Sequence, residues 1–197
     1  SLTWEEIAKI TSKTPVLTAI VPNGDETVVD LHFAGGVPAV MKELAPVLHL
    51  EEKAADGRTW REVLAETEDG DRTTIHTMAD PISKADGIQV LYGNLAPDGA
   101  LVKTSAVPED YRVFTGTAKV FDSEEDCYVA FREKQIHEGD VLIVRYEGPK
   151  GGPGMKELHR ITEIIKGIPG TAVITDGRFS GASGGLSIGE LFPEAVE

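Results

Sequence analysis

Residues 171–181 read TAVITDGRFSG, and this stretch decides the predicted fold. Its first five residues are apolar or β-branched, which predicts a short buried strand. Asp176 and Gly177 then place a turn directly at the strand end. Residues 157–166, just before it, have the apolar spacing of an amphipathic helix. A helix, a strand and a glycine-rich loop in this order indicate an α/β fold.

Other elements are predicted on both sides of this stretch. Short β-rich runs at 15–21, 88–92, 101–105, 117–121 and 141–146 predict sheet or barrel strands. A capping box of Thr3 and Glu6 predicts a short helix that ends within residues 11–14, and the spacing predicts another helix over 37–48. Residues 30–36 look like a turn. The 197 residues suffice for a single domain.

The charge balance excludes two classes of partner. The chain has 33 acidic and 19 basic residues and a formal net charge of -14. This charge repels nucleic acid and anionic lipid surfaces. There is no long apolar run, and the first residues lack the pattern of a signal peptide. We therefore expect a soluble, cytoplasmic protein that binds neither nucleic acid nor membranes.

Cys127 is the only cysteine, so the chain cannot form an internal disulfide or hold an iron-sulfur cluster by itself. Asp122 or Ser123 is expected to cap a helix that runs to Phe131. On this helix Cys127, Val129 and Phe131 are predicted to face inward, which makes Cys127 a core residue.

Two glycine-rich segments, 145–155 and 177–189, could bring backbone amides close to a ligand. Residues 181–185, GASGG, match the nucleophile elbow of the α/β-hydrolases, but that fold needs a histidine after Ser183 and all five histidines precede it. Lys150 either binds an anionic group or is a solvated lysine. Arg178 either binds a carboxylate or pairs with Asp176.

Several segments together resemble the dihydroxy-acid and phosphogluconate dehydratase family. They are RYEGPKGGPGM at 145–155, ITDGRFSG at 174–181, PEA at 193–195, DLHFAGGVPAVMKEL at 30–44, and GNLAPDGA at 93–100 followed by Val102 and Lys103. Their order agrees with the family, and they span nearly the whole chain.

The resemblance implies a dehydratase whose amino-terminal domain supplies the cysteines of an iron-sulfur cluster and several Mg²⁺ ligands. Residues 1–197 would then be the carboxy-terminal domain, a barrel-like β structure with flanking helices of the swivelling β/β/α type, inactive alone. Ser180 corresponds to the family's catalytic base and Glu157 to an Mg²⁺ ligand, with Glu147 as a second candidate. Contacts to a small acidic substrate are expected from Arg178, Gly181, Ser183, Lys150 and Asn94. The full-length enzyme is expected to be a homo-oligomer.

Two alternatives stay open. Residues 145–155 resemble the dihydroxy-acid branch, whereas residues 157–159 and 180–184 resemble the phosphogluconate branch, so the substrate is either a 2,3-dihydroxy acid or a sugar acid or its phosphate. The other alternative is a free-standing small-molecule-binding or regulatory domain without catalysis, which would keep the same loops.

Overall fold

The computed structural model describes residues 2–21, 23–85, 87–152, 158–180 and 183–197. The chain divides into two compact units, one formed by residues 1–12 and 86–197 and the other by residues 13–85. Residues 13–85 make most of their contacts among themselves. The assignment of residues 1–197 to one carboxy-terminal domain of a longer enzyme stays a prediction.

The described chain contains six α-helices and six strands. The helices are α1 (Trp4–Thr11), α2 (Val28–Phe33), α3 (Gly36–Glu43), α4 (Trp60–Ala65), α5 (Glu124–Arg132) and α6 (His159–Gly167). The strands are β1 (Gln89–Leu91), β2 (Gly99–Val102), β3 (Thr117–Phe121), β4 (Asp140–Val144), β5 (Ala172–Thr175) and β6 (Leu186–Phe192). None of these helices is long and apolar enough to cross a bilayer.

The larger unit is built on one mixed sheet with the strand order β1-β2-β6-β5-β4-β3. Strands β3 to β6 run parallel to one another, while β2 is antiparallel to both β6 and β1. Helix α5 connects β3 to β4 and helix α6 lies between β4 and β5, as parallel strands require a crossover. The α/β class with flanking helices is confirmed, and within the described residues the sheet is open rather than closed into a barrel.

The core of the larger unit lies between the central strands and helices α5 and α6. Leu142, Val144, Ile161 and Ile164 are completely buried there, together with Cys127. Burial, and secondarily the charge of Glu124, raises the pKa of the Cys127 thiol to about 12. Cys127 is therefore an inert core residue, as predicted.

Val129 does not share this core. Its side chain is 52% exposed, so the prediction that it faces inward is wrong. On α5 the buried positions are Glu124, Cys127 and Ala130, which are three residues apart and lie on one helix face. Val129 falls outside that face.

The regular elements described in the smaller unit are short helices. Helices α2 and α4 each begin with a capping box, formed by Thr27 with Asp30 and by Thr59 with Glu62. The prediction of a turn at 30–36 is wrong over its first half, where α2 continues to Phe33. The chain reverses only at Gly35, whose φ of 114° is one that residues with a Cβ rarely adopt.

The local sequence pattern gives a wrong prediction at two strands. The strand predicted at 15–21 is absent, since this segment makes only single bridges from Val16 to Ser83 and from Ile20 to Glu26 and gains no ladder partner. Strand β6 is not predicted, because its first residues lie within a glycine-rich segment that resembles a loop. The predicted helix over 37–48 ends at Glu43, and a short 3-10 turn with Pro46 follows.

Valine-to-alanine substitutions at a buried and at an exposed position test the assignment of core and surface residues. Val144→Ala removes a completely buried side chain and is expected to lower the free energy of unfolding by about 2 kcal/mol. Val129→Ala removes an exposed one and should change it by less than about 0.5 kcal/mol. Urea unfolding followed by circular dichroism measures both. Equal losses in the two variants would contradict the assignment of Val129 to the surface.

Candidate active site

The carboxylate of Asp176 joins three segments at one edge of the sheet. Asp176 follows β5, is 5% exposed, and accepts hydrogen bonds from three backbone amides. The donors are Tyr146 N at 3.1 Å, Glu147 N at 2.9 Å and Ala195 N at 3.1 Å. A buried carboxylate is tolerated when such donors replace its water. Asp176 therefore holds together the segments that follow β4, β5 and β6.

A second buried carboxylate, that of Glu147, contacts the start of α5. Its Oε1 accepts a hydrogen bond from Glu124 N at 2.7 Å. The carboxylate of Glu124 in turn accepts one from Arg160 N, at the start of α6, at 2.9 Å. Both carboxylates thereby meet helix amides that have no partner within their own helix. These contacts give Glu147 a structural task.

The glycine-rich segment after Glu147 is wrapped around a third buried carboxylate, that of Glu194. Glu194 Oε2 accepts hydrogen bonds from Lys150 N at 2.9 Å and Gly151 N at 3.0 Å. A Cβ at Gly148 would lie 2.5 Å from Glu194 Oε2, so this position requires glycine. The Lys150 side chain points outward and pairs with the carboxylate of Glu197.

A cavity of about 210 Å³ lies beside the loop that connects β5 to β6. Leu101, Ser187 and Gly189 line it, and they share one face of the sheet because Leu101 pairs with Gly189. Ser180 and Ser183 line its wall. The lining also includes Phe179, Lys103, Glu190 and the apolar residues Ile88, Val102 and Ala106.

The connecting loop lies close to β6 because β6 carries glycine at residue 189. A Cβ there would lie 3.0 Å from the ring of Phe179 and 3.3 Å from Gly177 O. The next residue, Glu190, has a φ of 51° and donates its amide to Gly177 O at 2.7 Å. The register of β6 against β2 shifts here, as at a β-bulge. Glu190, at this irregularity, also lines the cavity.

The structure brings together some of the predicted site residues. Ser180 and Ser183 lie in one turn, where Ser183 N donates to Ser180 O at 3.1 Å. Arg178 lies in an adjoining cavity of about 110 Å³ that shares Glu190 with the larger one. Asn94 and Lys150 are exposed and do not line the Ser180 cavity. Gly181 and Glu157 lie outside the described residues.

Lys103 and Glu190 were missed as cavity residues. A signal for Lys103 existed: it follows Leu101 by two positions in a β-rich run, and alternation places both on one side of the strand. The sequence held no comparable signal for Glu190, because a bulge depends on the partner strand. Among the described residues, no cluster of three or more His, Cys, Asp or Glu side chains could hold a metal.

Comparison with known proteins identifies the family of the chain. The family profile described as dihydroxy-acid/6-phosphogluconate dehydratase C-terminal matches residues 73–197. The chain belongs to this dehydratase family. The corresponding N-terminal profile matches residues 1–63, so the chain of this family member includes parts assigned to both domains.

The similar curated proteins are dehydratases of the same family. The dihydroxy-acid dehydratase of Ruminiclostridium cellulolyticum is 50% identical over 196 residues, which cover 97% of this chain and 36% of the relative. Those of Caldanaerobacter subterraneus and Methanosphaera stadtmanae are 48% and 45% identical, over 98% and 96% of this chain and 36% and 35% of the relatives. The chain thus spans about a third of the length of these dehydratases.

Asp176→Asn tests the central carboxylate. The amide keeps one acceptor oxygen but turns an NH₂ group toward at least one backbone donor. We expect a loss of about 1–3 kcal/mol in the free energy of unfolding for each amide left without an acceptor. Asp122→Asn is the matched control, because Asp122 forms an exposed pair with Arg145 worth less than about 1 kcal/mol. Chemical denaturation that ranks the two variants equally would contradict the role of Asp176.

Proposed function

We propose that the chain is part of a hydro-lyase that converts a 2,3-dihydroxy acid to a 2-keto acid, with Ser180 as the catalytic base. The observation that carries the proposal is the placement of Ser180 in the wall of a small cavity that also contains a cation, Lys103, and a second hydroxyl, Ser183. Family membership supports the reaction class, and Ser180 belongs to the segment that resembles the family's base-bearing motif.

The chemistry requires a base at one carbon and assistance to a leaving group at the next. The proton on C2 of a 2,3-dihydroxy acid is weakly acidic, and hydroxide is a poor leaving group from C3. Ser180, as an alkoxide, would take the C2 proton, and the resulting enol would become the 2-keto acid. An ordinary serine hydroxyl is too weakly acidic for this, so its surroundings must stabilise the alkoxide.

The relatives favour the shorter of the two substrate classes. The relatives described above are named dihydroxy-acid dehydratases, at 45% to 50% identity. We therefore propose a 2,3-dihydroxy acid as the substrate, with a sugar acid or its phosphate as the alternative to be tested.

The metal groups of the proposed enzyme are assigned mainly to the rest of the protein. Cys127 is unsuited to ligate a cluster, because it is buried and its thiol is held protonated. Glu147 is bound to a helix amide, which leaves Glu157 as the proposed Mg²⁺ ligand from this chain. When bound, Mg²⁺ would polarise the substrate's carboxylate end, and an open iron of the cluster would assist the 3-hydroxyl.

The partners follow from this assignment. The remaining part of the amino-terminal domain would complete the active site, and the full-length enzyme would act as a homo-oligomer in the cytoplasm. The described residues alone supply the base and the cavity wall and no complete metal site. The chain by itself is therefore proposed to be inactive.

Ser180→Ala in the full-length enzyme tests the base. We expect turnover to fall by about 10²-fold or more, because a positioned proton acceptor is lost. Formation of the 2-keto acid from 2,3-dihydroxy acids and from 6-phosphogluconate would be measured in parallel, with the iron content as a check on the cluster. Ser183→Ala is the matched control and should retain more activity. Near-normal turnover in Ser180→Ala would mean that another residue is the base.

Glu157→Gln in the full-length enzyme tests the proposed ligand. The substitution keeps the size of the side chain and removes its charge, so the Mg²⁺ concentration needed for half-maximal turnover should rise. Glu147→Gln is the comparison, and it should lower the free energy of unfolding instead, because Glu147 bonds to the start of α5. An unchanged Mg²⁺ dependence in Glu157→Gln would remove Glu157 from the metal shell.

A further inference from the structure

We infer that Lys103 forms a functional pair with Ser180 and stabilises the alkoxide that takes the substrate's proton. This inference rests on the proposed function of Ser180 and adds the residue that makes such a base feasible. Lys103 acts through Ser180, so it is a positioning residue for the reaction.

The first support is where Lys103 lies. It directly follows β2, and it lines the same cavity as Ser180 and Ser183. The turn after Lys103 is tied to the serine loop, because Gly185 N donates to Ala106 O at 3.2 Å. Ala106 N in turn donates to Lys103 O at 3.0 Å. The backbones that carry the two side chains are therefore linked.

The second support is electrostatic. Lys103 is half-buried, and this burial lowers the pKa of its ammonium group below the usual lysine value. A neighbouring alkoxide would offset this loss of hydration and favour the charged form of Lys103. The charged side chains that line the cavity, in the described part of the chain, are Lys103 and Glu190, and Arg178 lies in the adjoining one. Because Glu190 also lines the cavity and the chain has a net charge of -14, a local cation is needed to stabilise an alkoxide there.

The protons balance in this scheme. Loss of one proton from the pair leaves the Ser180 alkoxide beside the Lys103 ammonium. The alkoxide takes the proton from C2, so the C2–H bond breaks and an O–H bond forms on Ser180. The C3–O bond then breaks and hydroxide leaves. The proton from Ser180 and the hydroxide together make water, which restores the pair without any oxidant or reductant.

Sulfonylation of serine measures this pair without the rest of the enzyme. The purified chain would be treated with methanesulfonyl fluoride, a small reagent that modifies serine oxygen and releases fluoride. Peptide mass spectrometry would then give the modification rate at each serine between pH 6 and 10. We expect Ser180 to react faster than Ser183, with a rate that rises with pH as the pair loses its proton.

Substitutions of Lys103 give the decisive comparison. Lys103→Met keeps the length of the side chain without its charge and should slow the modification of Ser180 by about tenfold or more, shifting its rise to higher pH. Lys103→Arg keeps the charge and should restore part of the rate. Lys166→Met is the matched control, because it removes a lysine that pairs with Glu163 on the surface of α6. Circular dichroism would verify that each variant is folded.

The outcomes separate this inference from the proposed function. Equal modification of Ser180 in Lys103→Met and in the unaltered chain would overturn the pair, as would a Ser180 no more reactive than Ser183. If Ser180→Ala abolishes turnover in the full-length enzyme while Lys103→Met leaves the labelling unchanged, the base role stands and the pair falls. Retained turnover in Ser180→Ala overturns the proposed function and the role of Lys103 in dehydration with it.

Discussion

The ends of β4, β5 and β6 are held in place by the carboxylate of Asp176, which accepts hydrogen bonds from three backbone amides. These amides belong to the segments after β4 and after β6, while Asp176 itself ends β5. Without this carboxylate, three N–H groups would lose their acceptor, and the loss would cost most at Glu147, which is buried away from water. The interaction therefore sets where the loop after β5 begins, and this loop carries Ser180.

Three buried carboxylates have the same structural role in the larger unit. Asp176, Glu147 and Glu194 each accept hydrogen bonds from backbone amides, and none of them is more than 5% exposed. Asp176 and Glu194 bind amides of the loops near these strand ends, and Glu147 binds the first amide of α5. Part of the large acidic excess of the chain thus serves the architecture, and the net charge alone is a poor guide to the properties of its surface.

Close backbone approach is the second constraint on the site. Gly148 leaves room for the Glu194 carboxylate, and Gly189 leaves room for the ring of Phe179. At the neighbouring position, Glu190 adopts a left-handed conformation that costs energy for a residue with a Cβ. Strain of this kind is common near functional sites, and here it brings a carboxylate to a cavity that contains a serine base candidate and a lysine.

The sequence by itself determined the α/β class, four of the six sheet strands and the end of β2, the core position of Cys127 and the family to which the chain belongs. These features follow from local periodicity, capping residues and contiguous motifs. Only the tertiary structure decided that Lys103 and Glu190 line the same cavity as Ser180, that Glu147 bonds to the start of α5, and that residues 13–85 form their own unit. Strand register, the bulge in β6 and the partners of buried carboxylates are contacts between segments distant in the chain, and no local pattern specifies them.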